Sequence, residues 1–284
     1  MKRILLTGRN GQVGWELQRS LAPLGEVIAL DREALDLSDV DAICVTIRSL
    51  RPDIIVNAAA YTAVDQAESE PALAMRVNGQ APGVMAEESK KLGALLVHFS
   101  TDYVFDGTKH DAYHENDPAN PINAYGRSKL SGEQAIQAVD CRHLIFRTSW
   151  VYGLRGRNFL RTILRLAEER EELRIIDDQF GAPTWSRMIA EATALACARK
   201  TPQQGLYHLA SSGAASWHEF TRTILEMTRH LRTREPSLTA IPARDYSLPA
   251  ARPHNSRLAC ERLAQEAEII LPDWRKALSL CLEN

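Results

Sequence analysis

The chain is predicted to be an α/β protein with a doubly wound parallel sheet and a smaller C-terminal domain. Three observations carry that prediction. Short β-rich runs alternate with longer helical patterns through the first half. The runs lack polar alternation, as strands covered on both faces do. A glycine-rich turn follows the first run directly, and a helical pattern follows the turn.

Strands are expected at residues 3–7, 26–30, 53–57, 94–100 and 143–148, each short and rich in β-branched or large apolar residues. Helices are expected between them at 13–22, 39–49, 71–92 and 123–138. Ser38 suits the N-cap of the second helix, and Pro71 suits the first turn of the third. After about residue 150 the rhythm changes. Amphipathic patterns at 160–172, 187–200 and 216–231 are followed by Pro236, Pro242, Pro249 and Pro253, then by a last helix at 274–282. The expected division is 1–150 for the wound sheet and 151–284 for a region laid over its carboxyl edge, with part of 184–230 packing back on the sheet.

Composition narrows the class. A chain of 284 residues with 45% hydrophobic and 25% charged residues has the profile of a soluble globular protein. A net charge of −2 gives no electrostatic case for nucleic acid or an anionic membrane. Five scattered cysteines without a C-x-x-C, and histidines without an H-x-x-x-H pair, argue against disulfide frameworks and structural zinc. No apolar run approaches the ~18 residues of a membrane span. A cytoplasmic protein acting on a small molecule is expected.

Several strand ends carry candidate chemistry. Thr7-Gly8-Arg9-Asn10-Gly11-Gln12-Val13-Gly14 lies at the first strand–helix junction. Glycines there let backbone N–H groups approach a pyrophosphate at a helix N-terminus. Asp31 closes the second strand, where an acid bonds an adenosine ribose; Arg32 and Arg9 nearby would attract a 2′-phosphate. NADH and NADPH are therefore both expected to be usable. Asp36 and Leu37 are placed to flank the adenine. Small residues after Asn57 leave room for a ligand, and Asn78 in mid-helix points to a polar contact. At the fourth strand end, Thr101 is the candidate hydroxyl and Ser100 the alternative, because neighbours point to opposite faces. Trp150 is placed to wall a substrate pocket. In Tyr125-Gly126-Arg127-Ser128-Lys129 the tyrosine and lysine share a helix face, where a cation is expected to lower the phenol's pKa.

The glycine turn, the Asn57-Ala58-Ala59 run, Ser100-Thr101-Asp102-Tyr103-Val104-Phe105 and Tyr125-x-x-x-Lys129 occur in an order that resembles the extended short-chain dehydrogenase/reductase superfamily. Residues 11–17, 146–152, 178–184 and 252–258 are similar to motifs of its dTDP-4-dehydrorhamnose reductase family. The resemblance implies a Rossmann-like fold and NAD(P)H-dependent reduction of the C4 keto group of a dTDP-sugar, for surface polysaccharide such as lipopolysaccharide. It makes Tyr125 the proton donor, with Lys129 tuning it and holding the nicotinamide ribose, and Thr101 bonding the C4 oxygen. Asp102 and Trp150 would contact the sugar. Gly11, Gln12, Val13, Asp31, Asp36, Leu37, Ala60, Tyr61 and Thr62 would contact the cofactor. A homodimer is compatible with the resemblance. Some members bind Mg²⁺ between subunits through glutamates; Glu16 matches one such position, but Arg187 stands at another, which argues against a metal. Another nucleotide-sugar reductase or epimerase, or a non-catalytic NADP-binding subunit, are the alternative readings.

Overall fold

The computed structural model describes residues 1–199 and 204–283. Its first half runs β1 (Lys2–Thr7), α1 (Gln12–Ser20), β2 (Gly25–Leu30), α2 (Val40–Leu50), β3 (Ile54–Asn57), α3 (Val64–Ser69), α4 (Pro71–Met75), α5 (Ala81–Leu92), β4 (Leu95–Thr101), α6 (Ala124–Val139) and β5 (His143–Thr148). The second half adds β6 (Val151–Tyr152), α7 (Phe159–Glu169), β7 (Glu172–Ile176), β8 (Phe180–Gly181), β9 (Thr184–Trp185) and α8 (Ser186–Ala198). It continues through β10 (Gly205–His208), β11 (Ala215–Ser216), α9 (Trp217–Met227), β12 (Ser237–Ile241), α10 (Glu261–Ala267) and α11 (Trp274–Leu282).

Six parallel strands form the central sheet in the order β10-β5-β4-β3-β1-β2. The chain leaves β1 for β2 on one side and returns to β3 on the other, so the order reverses beside β1. Ligands of wound sheets bind at such a reversal, beyond the carboxyl ends of the strands. Both faces of the sheet are covered. Ile4, Leu6, Val56 and Val97 pack toward one core, and Leu5, Ile55, Leu96 and Ile145 toward another. That explains the apolar, non-alternating strands.

The outermost strand β10 belongs to this sheet and is four residues long, too short to stand out in the sequence. Helix α8 packs on α1, where the Ser20 hydroxyl donates to the Ala190 carbonyl at 3.0 Å. Leu263 and Leu271 join the same core. A separate core of Tyr152, Leu160, Trp185, Phe220 and Trp274 holds the C-terminal region together.

Four local expectations need correction. Asp39, not Ser38, caps α2, accepting from the Ala42 N–H at 2.9 Å, while Ser38 donates its own N–H to Asp36. The segment 71–92 is not one α-helix: a π-helical turn spans Arg76–Gln80 between α4 and α5. Helix α7 stops at Glu169, before β7 begins at Glu172. Helix α9 ends at Met227 and gives way to a 3₁₀ turn at Arg229–Leu231. Pro71 does open α4, and the end of the expected 187–200 helix, Lys200, lies outside the described residues.

Candidate active site

A crevice of about 440 Å³ opens at the strand reversal. Gly11, Gln12, Val13, Asp31, Asp36, Leu37, Ala60, Tyr61, Thr62, Tyr125 and Lys129 all line it. Its floor is the glycine turn. Gly8 has φ +74°, and a Cβ there would lie 2.7 Å from the Ala59 nitrogen. A Cβ on Gly14 would lie 2.1 Å from the Gly8 carbonyl oxygen, so α1 packs against the turn only without one. No side chain caps the N-terminus of α1, which leaves its backbone N–H groups to an anion. Ser100 and Thr148 also line the crevice, and both hydroxyls are buried without a partner. The open helix start and these two unpaired hydroxyls fit a dinucleotide.

Asp31 does not stand alone. Its carboxylate lies 3.6 Å from the Arg9 guanidinium, accepts from Asn10 at 3.4 Å, and accepts from the Ala34 N–H at 3.1 Å. Arg32 pairs with Asp36 at 3.5 Å. Each acid at the adenosine end therefore has an arginine beside it. Across the crevice, Asn78 sits in the π turn and clamps the loop after β3. Its Oδ1 accepts from the Tyr61 N–H at 2.8 Å, and its amide donates to the Tyr61 carbonyl and the Ser128 hydroxyl, both at 3.0 Å.

Helix α6 brings in the tyrosine and lysine. Asn123 caps it through the Gly126 N–H at 2.7 Å and holds the Ala251 carbonyl at 2.8 Å. A Cβ on Gly126 would lie 2.1 Å from the Tyr103 carbonyl oxygen, so glycine lets the first turn seat against that loop. The Tyr125 ring meets the Tyr103 ring edge-on, with centroids 6.1 Å apart. The expected effect of the lysine on this phenol is not what the structure shows. Burial pushes the Tyr125 phenol up to about 12, offset in part by the Thr101 hydroxyl. Lys129 turns to the Phe99 carbonyl and to His98 Nε2, 3.2 Å away, and burial pulls its ammonium down to about 8.

Thr101 and Asp102 lie at the end of β4, beyond the residues that line the crevice. Thr101 donates to Asp102 at 3.1 Å and accepts from the Tyr103 N–H at 3.1 Å. Asp102 is buried, and Ser149 donates to it at 3.1 Å while Ser256 adds a further hydrogen bond. Burial outweighs these neutral donors and raises its carboxyl to about 6. Trp150 stands next to Ser149 with φ +46° and stacks on Trp217, centroids 3.4 Å apart and planes within 2°. Gly181 supports that indole; a Cβ there would lie 2.4 Å from it. Trp150, expected to wall a substrate pocket, is not among the residues lining the crevice; it forms a stacked block with Trp217.

Residues 178–184 and 252–258 lie together. The Phe180 N–H donates to the His254 carbonyl at 2.7 Å, and the Ser256 N–H donates to the Phe180 carbonyl at 2.8 Å. Arg252 grips Asp65 with both terminal nitrogens, at 3.0 and 2.8 Å, and hydrogen-bonds Tyr103. This strap ties the C-terminal region to the loop that carries Asp102. The sequence reading missed Trp217 and His98. Trp217 gives no local signal, whereas a histidine in an otherwise apolar strand does. Glu16 lies 3.4 Å from the Arg187 guanidinium, which rests over the Trp185 ring. Among the described residues, no cluster of three or more histidine, cysteine, aspartate or glutamate side chains could hold a metal.

A family model described as the RmlD substrate binding domain matches residues 1–284. The dTDP-4-dehydrorhamnose reductase of Burkholderia thailandensis is 50% identical, with 99% of this chain and 98% of that protein covered. A spore coat polysaccharide biosynthesis protein of Bacillus subtilis is 40% identical, with 100% and 98% covered. The crystal structure of dTDP-4-dehydrorhamnose reductase from Bacillus anthracis in complex with NADP superposes with a TM-score of 0.93 at 34% identity, covering 99% of each chain. A UDP-glucose 4-epimerase of Thermus thermophilus, solved with NAD, has the same fold at 20% identity and a TM-score of 0.81, covering 99% of this chain and 98% of that one.

Proposed function

The chain belongs to the RmlD substrate-binding-domain family, and from that premise we propose that it reduces the C4 keto group of dTDP-4-dehydro-β-L-rhamnose with NAD(P)H, giving dTDP-L-rhamnose for surface polysaccharide. The observation that carries this reading is the meeting of Tyr125 and Lys129 with the glycine turn on one crevice at the strand reversal. When bound, the nicotinamide cofactor supplies the hydride.

The chain's own residues do the rest. The open N-terminus of α1 binds the cofactor's pyrophosphate, and Asp31 takes a ribose hydroxyl. Arg9 and Arg32 offset the acids that would repel a 2′-phosphate, which suits use of both coenzymes. Tyr125, kept protonated by burial, gives its phenolic proton to the C4 oxygen as negative charge develops there. Thr101, whose hydroxyl lies beside the phenol, turns to that oxygen and holds it in line. Lys129, which shares the crevice with Tyr125, holds the nicotinamide ribose. Asp102 and the Trp150–Trp217 block bind the sugar. A homodimer belongs to the same reading, and light scattering tests it.

Purified protein should oxidise NADPH or NADH in the presence of the 4-keto dTDP-sugar. Replacing Tyr125 by Phe should lower kcat by about 10²-fold or more, the worth of a positioned acid, with cofactor affinity retained. No turnover with either coenzyme would sink the reading.

A further inference from the structure

A buried polar chain runs under the crevice from the cofactor turn to the lysine. Thr7, Asn57 and His98 occupy matched positions on the neighbouring strands β1, β3 and β4, on the sheet face that α6 covers. All three are buried, as is Lys129. The Ala59 N–H donates to Thr7 Oγ1 at 3.4 Å, and the Thr7 hydroxyl donates to Asn57 Oδ1 at 2.7 Å. The Asn57 amide lies 3.1 Å from His98 Nδ1, and His98 Nε2 lies 3.2 Å from Lys129 Nζ. Lys129 Nζ donates to the Phe99 carbonyl.

We infer that His98 is a positioning residue for Lys129, and that its tautomer couples the charge on that lysine to the cofactor turn. The count of donors and acceptors requires it. With Asn57 donating to Nδ1, the imidazole hydrogen sits on Nε2, and Nζ must accept it with a lone pair. Every donor then points the same way, from Ala59 to Phe99, and each bond polarises the next. This run is complete only with a neutral amine at Lys129.

An ammonium has no lone pair. When Lys129 is charged, Nε2 must be bare, Nδ1 must carry the hydrogen, and Asn57 must turn its oxygen toward the ring. The Asn57 amide then faces Thr7 Oγ1, which already accepts from Ala59, and the Thr7 hydroxyl loses its acceptor. Overall, one proton is taken up: the amine and the Nε2–H imidazole become the ammonium and the Nδ1–H imidazole. Charging the lysine therefore reorganises hydrogen bonds as far as Thr7 and Ala59, next to Gly8 in the crevice lining.

The surrounding groups keep this exchange within reach. Burial and the neighbouring ammonium hold His98 far below the usual imidazole range, so it changes tautomer without charging. Glu133, one turn along α6, favours the ammonium but is itself held by Arg147 through bonds of 2.9 and 2.7 Å. Tyr125 lies one turn back on the same helix and faces the crevice. Cofactor binding at the turn and protonation of Lys129 are thus linked, and linkage acts equally in both directions.

The test uses the free protein labelled with ¹⁵N-histidine, with His98 assigned through His98→Gln. Long-range ¹H–¹⁵N spectra between about pH 6 and 10 should show the hydrogen on Nδ1 at low pH and on Nε2 at high pH. The midpoint should coincide with that of the Lys129 Cε resonance, and Lys129→Met should abolish the switch. One tautomer throughout, or the same switch in Lys129→Met, would overturn the inference. The spectra need no turnover, so they decide the matter even if the reductase reading fails. In turnover, His98→Phe should move the basic limb of the kcat profile by about one pH unit, with KM for the nucleotide sugar changed less than about twofold. A merely structural histidine would lower kcat equally at every pH.

Discussion

Asp102 is held by three hydroxyls, from Thr101, Ser149 and Ser256, in a place that burial makes unfavourable for charge. Its carboxyl rises from the ordinary 3.8 to about 6 on folding. A group whose pKa rises on folding supports the fold while protonated, and that support is lost as the pH climbs through about 6. Replacement by Asn keeps the shape and removes the charge. Asp102→Asn should therefore gain stability relative to the parent between about pH 4 and pH 7, by at most on the order of 3 kcal/mol. Thermal unfolding across that range checks it, and a pH-independent difference would refute the account. At the same scale, the sequence pointed to Tyr125, Lys129 and the glycine turn on one crevice, but Thr101 and Asp102 lie beyond its lining, and how the charges balance was not legible. The Tyr125–Lys129 spacing is legible in one dimension. Burial of the phenol and the turn of the lysine toward Phe99 depend on β4 lying beneath α6.

Among elements, the segment from Pro71 to Leu92 shows how tertiary contacts change a local pattern. Asn78, Gly79 and Pro82 all weaken the α pattern there, and the π turn places Asn78 against both backbone groups of Tyr61. Such turns appear where a side chain must be re-aimed at a functional loop. Asn78→Leu would leave both the N–H and the carbonyl of Tyr61 without that partner. It should cost roughly 2–6 kcal/mol in urea unfolding, at ~1–3 kcal/mol for each of the two unmet groups. It should also weaken cofactor binding, since Tyr61 lines the crevice. Unaltered affinity in the variant would show that the clamp serves only the fold. Strand positions in the first half were legible because apolar runs flanked by turns are local signals. The α2 cap was placed one residue early, at Ser38, because a neighbouring serine and aspartate suit a cap equally well, and the Asp39 carboxylate is the one that accepts from the Ala42 N–H.

The whole molecule is less divisible than its first-half rhythm suggests. Helix α8, strand β10 and the stretch from Leu263 to Leu271 complete the core beneath β1, β3 and β4. Residues 1–150 expressed alone would expose Leu17, Leu21 and Leu144 where Ile189, Tyr207 and Leu263 now cover them. That fragment should lack a cooperative thermal transition and bind a hydrophobic dye. A sharp transition at normal stability would show that the first half folds without the returning segment. No helix among the described residues is long and apolar enough to cross a membrane. The sequence predicts that part of 184–230 returns, whereas the stretch from Leu263 to Leu271 was not legible because it is short and its partners lie far earlier in the chain.

Arg187 lies where the returning helix α8 meets α1, with its guanidinium 3.4 Å from Glu16. Half-open to solvent, the pair adds little to stability, typically ~0–1 kcal/mol. Its importance is one of supply. A positive charge carried on the chain arrives with folding, at a stoichiometry fixed by translation, and no chelator or dilution removes it. The contact between α1 and α8 at this corner therefore forms with the fold itself and needs nothing from outside the chain.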